Sequence, residues 1–161
     1  MKLNLVAIQA KPLMSDYANA EAFYQKMADL MARASRQADF SLPTLVVFPE
    51  GIGLPLAFVP QTYHQIGDAK SIAQVLMRAL PKNLPRFTRA LLRFRTSVIR
   101  TVFLETALEA EDIYVTTFST LAREYGVYLC AGCIYLPHIE EEAVKGRHIV
   151  SRRVYNQSYL F

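Results

Sequence analysis

The 161-residue sequence has no tryptophan, two cysteines, six glycines and eight prolines. So little glycine and proline in a chain that is 52% hydrophobic and 20% charged excludes a disordered, collagenous or low-complexity polypeptide. Two cysteines are too few for a disulfide scaffold and fit a reducing compartment. No apolar run approaches the ~18 residues of a membrane span. The opening MKLNLVAIQAKP lacks the continuous apolar core of a signal peptide, because Asn4 and Gln9 interrupt it. There is no G-x-S-x-G, Walker or G-x-G-x-x-G motif. His64, His138 and His148 have no ligand-like spacing to one another or to a cysteine, and read as ordinary loop or strand-start residues. These absences leave a soluble, cytoplasmic α/β domain with no cofactor and no metal implied.

Acid is missing from one stretch. Residues 69–104 hold eight bases (Lys70, Arg78, Lys82, Arg86, Arg89, Arg93, Arg95, Arg100) and no Asp or Glu. The formal charge of +4 therefore belongs to this segment, since the rest has ten bases against fourteen acids.

What is present is an alternation of strand and helix signals. Leu3–Gln9 and Thr44–Phe48 are short apolar runs and read as buried strands. Between them a helix capped by Ser15 or Asp16 runs to about Gln37, with an apolar stripe of Ala20, Phe23, Met27, Leu30, Met31 and Ala34. Strand, helix and strand predict a right-handed crossover between parallel neighbours. Gly51–Asp68 reads as loop, and Lys70–Leu80, Pro85–Leu104 and Glu111–Tyr125 as helices, the last ended by Gly126. Val127–Leu136 is a third strand, Pro137–Arg147 a charged loop with a solvated run at Glu140, Glu141 and Glu142, and Ile149–Phe161 a fourth strand. An apolar strand running to the last residue leads us to expect part of a larger domain.

Glu50 is the sharpest candidate for chemistry. It follows a strand directly, at the sheet edge where ligands of open α/β folds collect. Pro49 fixes the backbone before it, and the apolar neighbours Val47, Phe48 and Leu54 are expected to desolvate its carboxylate, as proton transfer requires. The plainer alternative is a solvated loop glutamate capping a turn. Cys130-Ala131-Gly132-Cys133 matches C-x-x-C, but inside a strand the two side chains point to opposite faces. They could neither pair nor share an ion without a bulge, and they read as structural cysteines.

VAIQ at residues 6–9, the long helix after it, and LVVFPE at 45–50 resemble the opening of the nitrilase superfamily of carbon–nitrogen hydrolases. FSTLAREYGVYLCAGC at 118–133 is similar to that family's next helix and strand, and RRVYNQSYLF at 152–161 to the strand after it. The resemblance omits residues 54–110. It implies the first half of an αββα sandwich, a mixed sheet with covering helices, plus an inserted helical segment at about 69–110. It also implies a Glu-Lys-Cys triad cleaving a non-peptide C–N bond, in which Glu50 is the general base, with Phe48, Gly51 and Leu54 near the substrate pocket. The family's lysine and cysteine fall after Phe161, so this chain carries one member of three. The implied partners are a small-molecule amide or nitrile and, for the full-length form, further copies of itself. Half a sandwich exposes an apolar sheet face, so this polypeptide is expected to need another chain or to be poorly soluble.

The basic segment departs from the family pattern. On a wheel from Arg86, Arg89, Arg93 and Arg100 join it in one stripe, opposite Phe87, Leu91, Phe94, Val98 and Val102. It reads as a helix packed on the domain or a dimer surface, as a lid over the site near Glu50, or as a non-catalytic module on an anionic membrane surface. No recognised nucleic-acid-binding fold accompanies the charge, which disfavours nucleic acid.

Overall fold

The computed structural model describes residues 2–58, Gln74 and 84–161, without the side chains of Leu84, Arg86 and Phe87. The helix expected over Lys70–Leu80 lies outside these residues except for Gln74, which is helical, and His64 lies outside them altogether.

Three strands, β1 (Asn4–Ala7), β2 (Thr44–Val47) and β3 (Tyr128–Cys130), form a parallel sheet in the order β1-β2-β3. The helix α1 (Ala20–Ser35) links the first two, so the strand–helix–strand unit has the expected parallel neighbours. Its start differs. Asp16 is spent on a short 3-10 turn at Met14–Tyr17, where its carboxylate accepts the Leu13 N–H at 2.7 Å. Asn19 caps α1 instead, accepting the Ala22 N–H at 2.8 Å. Phe23, Met27, Met31 and Ala34 of the expected stripe are buried, while Leu30 is half-buried and Ala20 exposed.

The helices from Leu84 onward divide at a different place from the one the sequence predicts. The helix α2 (Leu84–Phe94) stops at Arg95, whose φ of 47° is left-handed. The helix α3 (Val98–Tyr125) then restarts under a Ser97 cap and runs unbroken to Gly126, which ends it at φ 61°. Its buried positions Val102, Leu104, Ala107, Ala110, Tyr114, Phe118 and Leu121 keep helical spacing through the interval between the two helices expected from sequence. Arg100 therefore sits on a different helix from Arg86, Arg89 and Arg93. Ala90 and Phe94 pack against Leu104 with Ile149 and Val154 beside them, which makes α2 a helix docked on the domain.

The expected third strand is two. β3 ends at Cys130, Gly132 turns the chain at φ 73°, and β4 (Ile134–Glu142) enters a second, two-stranded antiparallel sheet with β5 (Gly146–Gln157). The segment Pro137–Arg147 is thus mostly hairpin, with Glu140 opposite His148 and Glu141 opposite Arg147. Opposite charges across the ladder allow strand where charge density alone suggests loop. His138 and His148 lie within these strands. The fourth strand also stops early: after Gln157 the chain returns to the first sheet, where Phe161 exchanges both backbone hydrogen bonds with Leu129, at 2.9 and 3.0 Å.

The fold is mixed α/β, with α1 and α3 on one face of the parallel sheet. In register, Val6, Val46 and Leu129 form the row that faces the helices. The rows on either side point the other way, which leaves Leu5 72%, Tyr128 62% and Leu160 69% exposed. β1 is therefore half-buried rather than buried, because among the described residues no layer covers this face. No described helix is long and apolar enough to cross a membrane.

Candidate active site

Glu50 follows β2 at the edge where all three parallel strands end. That edge is built from two close-packed segments, Pro49–Gly53 after β2 and Ala131–Cys133 after β3. Phe48 N–H donates to Cys130 O at 2.9 Å, Gly51 N–H to Cys133 Sγ at 2.9 Å, and Gly53 N–H to Cys133 O at 3.0 Å. A Cβ on Gly132 would lie 2.2 Å from Pro49 O, so only glycine permits this approach. Two buried tyrosines hold the segments from behind: Tyr17 donates its hydroxyl to Ile52 O at 2.9 Å and Tyr114 to Ala131 O at 2.7 Å.

Burial pushes both hydroxyls well above the ordinary tyrosine value of 10, with Asp16 adding to the shift at Tyr17 and Cys133 at Tyr114. Both stay protonated donors. A pKa raised in the fold contributes stability that is fully present below pH 10, the unfolded value, and is lost as pH rises above it. A tyrosinate absorbance titration followed alongside circular dichroism should therefore show Tyr17 and Tyr114 silent near pH 10 and ionising only with alkaline unfolding. Ionisation of all nine tyrosines before the dichroism changes would mean that the clamps are open.

Glu50 itself is exposed, which corrects the expected apolar enclosure: water reaches the carboxylate. Its Oε1 accepts from Asn156 Nδ2 of β5 at 3.2 Å. The two flank an open cleft of about 380 Å³, lined also by Val47, Phe48, Gly132, Cys133, Gln157 and Ser158. Gln157 is aimed by its amide, which donates to Leu136 O and Pro137 O, both at 3.3 Å. The cleft offers a carboxylate acceptor, an amide donor, a thiol and a hydroxyl; among the described residues lining it there is no Lys, Arg or His.

The sequence candidates divide. Phe48 lines the cleft; Gly51 adopts φ 75° and spends its N–H on Cys133; Leu54 faces the core from the 3-10 turn Leu54–Ala57. Arg89, Arg93 and Arg100 are exposed elsewhere and do not line it, and the Arg86 side chain lies outside the described residues. The cysteines are both free. The turn at Gly132 breaks the alternation assumed for them: Cys130 Sγ lies 3.7 Å from Ser158 Oγ, while Cys133 is buried under the Glu50 segment. Among the described residues no group of His, Cys, Asp and Glu is arranged to hold a metal ion.

Sequence spacing does not place Asn156 or Cys133 beside Glu50. Asn156 lies 106 positions away, and the only signal for it was its place after an aromatic residue in RRVYNQSYLF. No protein-family model, curated protein or solved structure matches the chain.

Proposed function

We propose that the chain is the N-terminal portion of a carbon–nitrogen hydrolase of the amidase or nitrilase type, with Glu50 as its general base. The observation that carries the proposal is Glu50 at the carboxyl edge of the parallel sheet, hydrogen-bonded by Asn156 across the mouth of a cleft. Ligands of open α/β sheets bind at that edge. The open apolar face around Leu5, Tyr128 and Leu160 suits a second sheet of an αββα sandwich.

In this reading Glu50 takes the proton of a cysteine thiol supplied by the segment beyond Phe161. The thiolate then attacks the carbonyl or nitrile carbon of a small substrate, and a lysine from the same segment stabilises the charge that develops on the substrate. Asn156 orients the carboxylate. Cys133 is not the nucleophile, because its buried sulfur accepts the Gly51 N–H and so holds the backbone beside Glu50. No cofactor takes part.

The reading frame beyond Phe161 is the first test. The proposal requires a lysine-bearing segment and then a cysteine between strand and helix signals; a stop codon directly after Phe161 overturns it. In the full-length protein, ammonia release from a panel of amides and nitriles should fall by about 10²–10⁴-fold in Glu50→Gln. The exposed position of Glu50 predicts an unchanged circular dichroism spectrum. Undiminished turnover would remove Glu50 from the mechanism.

A further inference from the structure

The apex where α2 meets α3 combines charge and exposed apolar surface in a way that neither core packing nor the Glu50 cleft uses. Leu92 is 72% exposed, Val98 38% and Ile99 53%. Interleaved with them are Arg93, Arg95 and Arg100, all exposed. The apex is ordered by its own bonds. Arg95 N–H closes α2 on Leu91 O at 2.7 Å, and Ser97 caps α3 through Arg100 N–H at 3.4 Å, with Thr101 Oγ1 donating to Ser97 O at 3.0 Å. Ala90, Phe94 and Leu104 anchor it from below. The first acid along α3 is Glu105, seven positions past Val98 and so about 10 Å along the axis at ~1.5 Å per residue. Glu105 lines a pocket together with Arg89 and Arg93, so Arg95 and Arg100 carry most of the cationic character of the tip itself.

We propose that this apex is a membrane-docking element that binds anionic lipid surfaces, with the arginines at the headgroups and Leu92, Val98 and Ile99 inserted among them. The argument is charge complementarity joined to exposed aliphatics. Arg93, Arg95 and Arg100, exposed around the apex, attract an anionic surface. A two-fold contact with a second copy through this face would set these three arginines against their own copies. A nucleic-acid surface is read through phosphates and base edges and has no use for three exposed aliphatic side chains. The inference is independent of any chemistry at Glu50.

Cosedimentation of the full chain with vesicles tests it. Binding is expected to mixed phosphatidylcholine–phosphatidylserine vesicles, to weaken as salt is raised, and to be absent from phosphatidylcholine alone. Removing three cationic side chains in Arg93→Gln, Arg95→Asn, Arg100→Gln should weaken it on the order of a hundredfold at low salt, about fivefold for each arginine. Leu92→Ser with Ile99→Ser should weaken it about tenfold. Because these positions are exposed, circular dichroism should be unchanged in both variants. The proposal is overturned by absence of binding to the anionic vesicles. It is equally overturned by binding that survives both sets of substitutions, which would assign it to the open sheet face. Preferential capture of a DNA duplex, insensitive to Leu92 and Ile99, or self-association through the apex would also overturn it.

Discussion

Phe118→Ala should remove about 3–5 kcal/mol of stability, against a total of roughly 5–15 kcal/mol for a domain of this size. Phe118 is fully buried on α3, and three aromatic rings converge on it: Phe23 of α1 at 5.9 Å, Phe48 after β2 at 4.9 Å, and Tyr114 one turn back at 4.9 Å. All three pairs are near edge-to-face, with interplanar angles of 85°, 67° and 67°, a geometry that adds to simple burial. Truncation leaves a cavity between α1, α3 and the sheet. Urea denaturation followed by near-ultraviolet circular dichroism should show a lower midpoint at unchanged slope. Phe118→Leu should cost less than half as much. A loss below ~1 kcal/mol for the alanine variant would mean that the core does not close at this ring. Because Phe48 immediately precedes Pro49-Glu50, the variant should also loosen the cleft.

Gly132→Ala is the second large effect and isolates the close approach behind the site. The new methyl would meet Pro49 O at 2.2 Å and Ile52 Cγ2 at 3.1 Å, on a residue already at φ 73°. The clash is with backbone, so relief requires the end of β2 to move. Left-handed strain and overpacking together predict a loss of about 2–4 kcal/mol. Gly51→Ala is the matched control: its φ of 75° is almost the same, but a Cβ there meets nothing within 4 Å. Strain alone then predicts about 1–2 kcal/mol. Equal losses in the two variants, measured by the same denaturation, would show that the contact with Pro49 carries no energy.

The elements read correctly from sequence are those whose pattern is local. The apolar runs at Leu3–Gln9 and Thr44–Phe48 contain β1 and β2, the Phe23, Met27 and Met31 spacing marks the buried face of α1, and Gly126 ends α3. Sequence pattern and structure part where a distant partner decides. The hairpin Ile134–Gln157 was hidden because its glutamates are tolerated only once His148 and Arg147 stand opposite them. Arg147 reaches further, pairing with Glu111 and Asp112 of α3, and Glu111 also accepts the Tyr159 hydroxyl at 2.7 Å. These contacts span 35 positions or more and leave no periodic trace. The break at Arg95 was hidden for the opposite reason: the apolar spacing on either side of it is continuous, and only the left-handed residue and the Ser97 cap divide it.

By itself the sequence determined the α/β class, the parallel β1–β2 unit, the place of Glu50 after a strand, and the confinement of positive charge to residues 69–104. Each of these follows from residue type and near-neighbour spacing. Tertiary structure alone decided what surrounds Glu50. It brought Asn156 to the carboxylate and Cys133 to the Gly51 N–H beside it, left that carboxylate in water, and turned a single presumed helix into two that meet at a basic, apolar tip. Those outcomes depend on which backbones can approach across the Gly132–Pro49 contact and which faces find a partner, and both are properties of packed segments far apart in the chain.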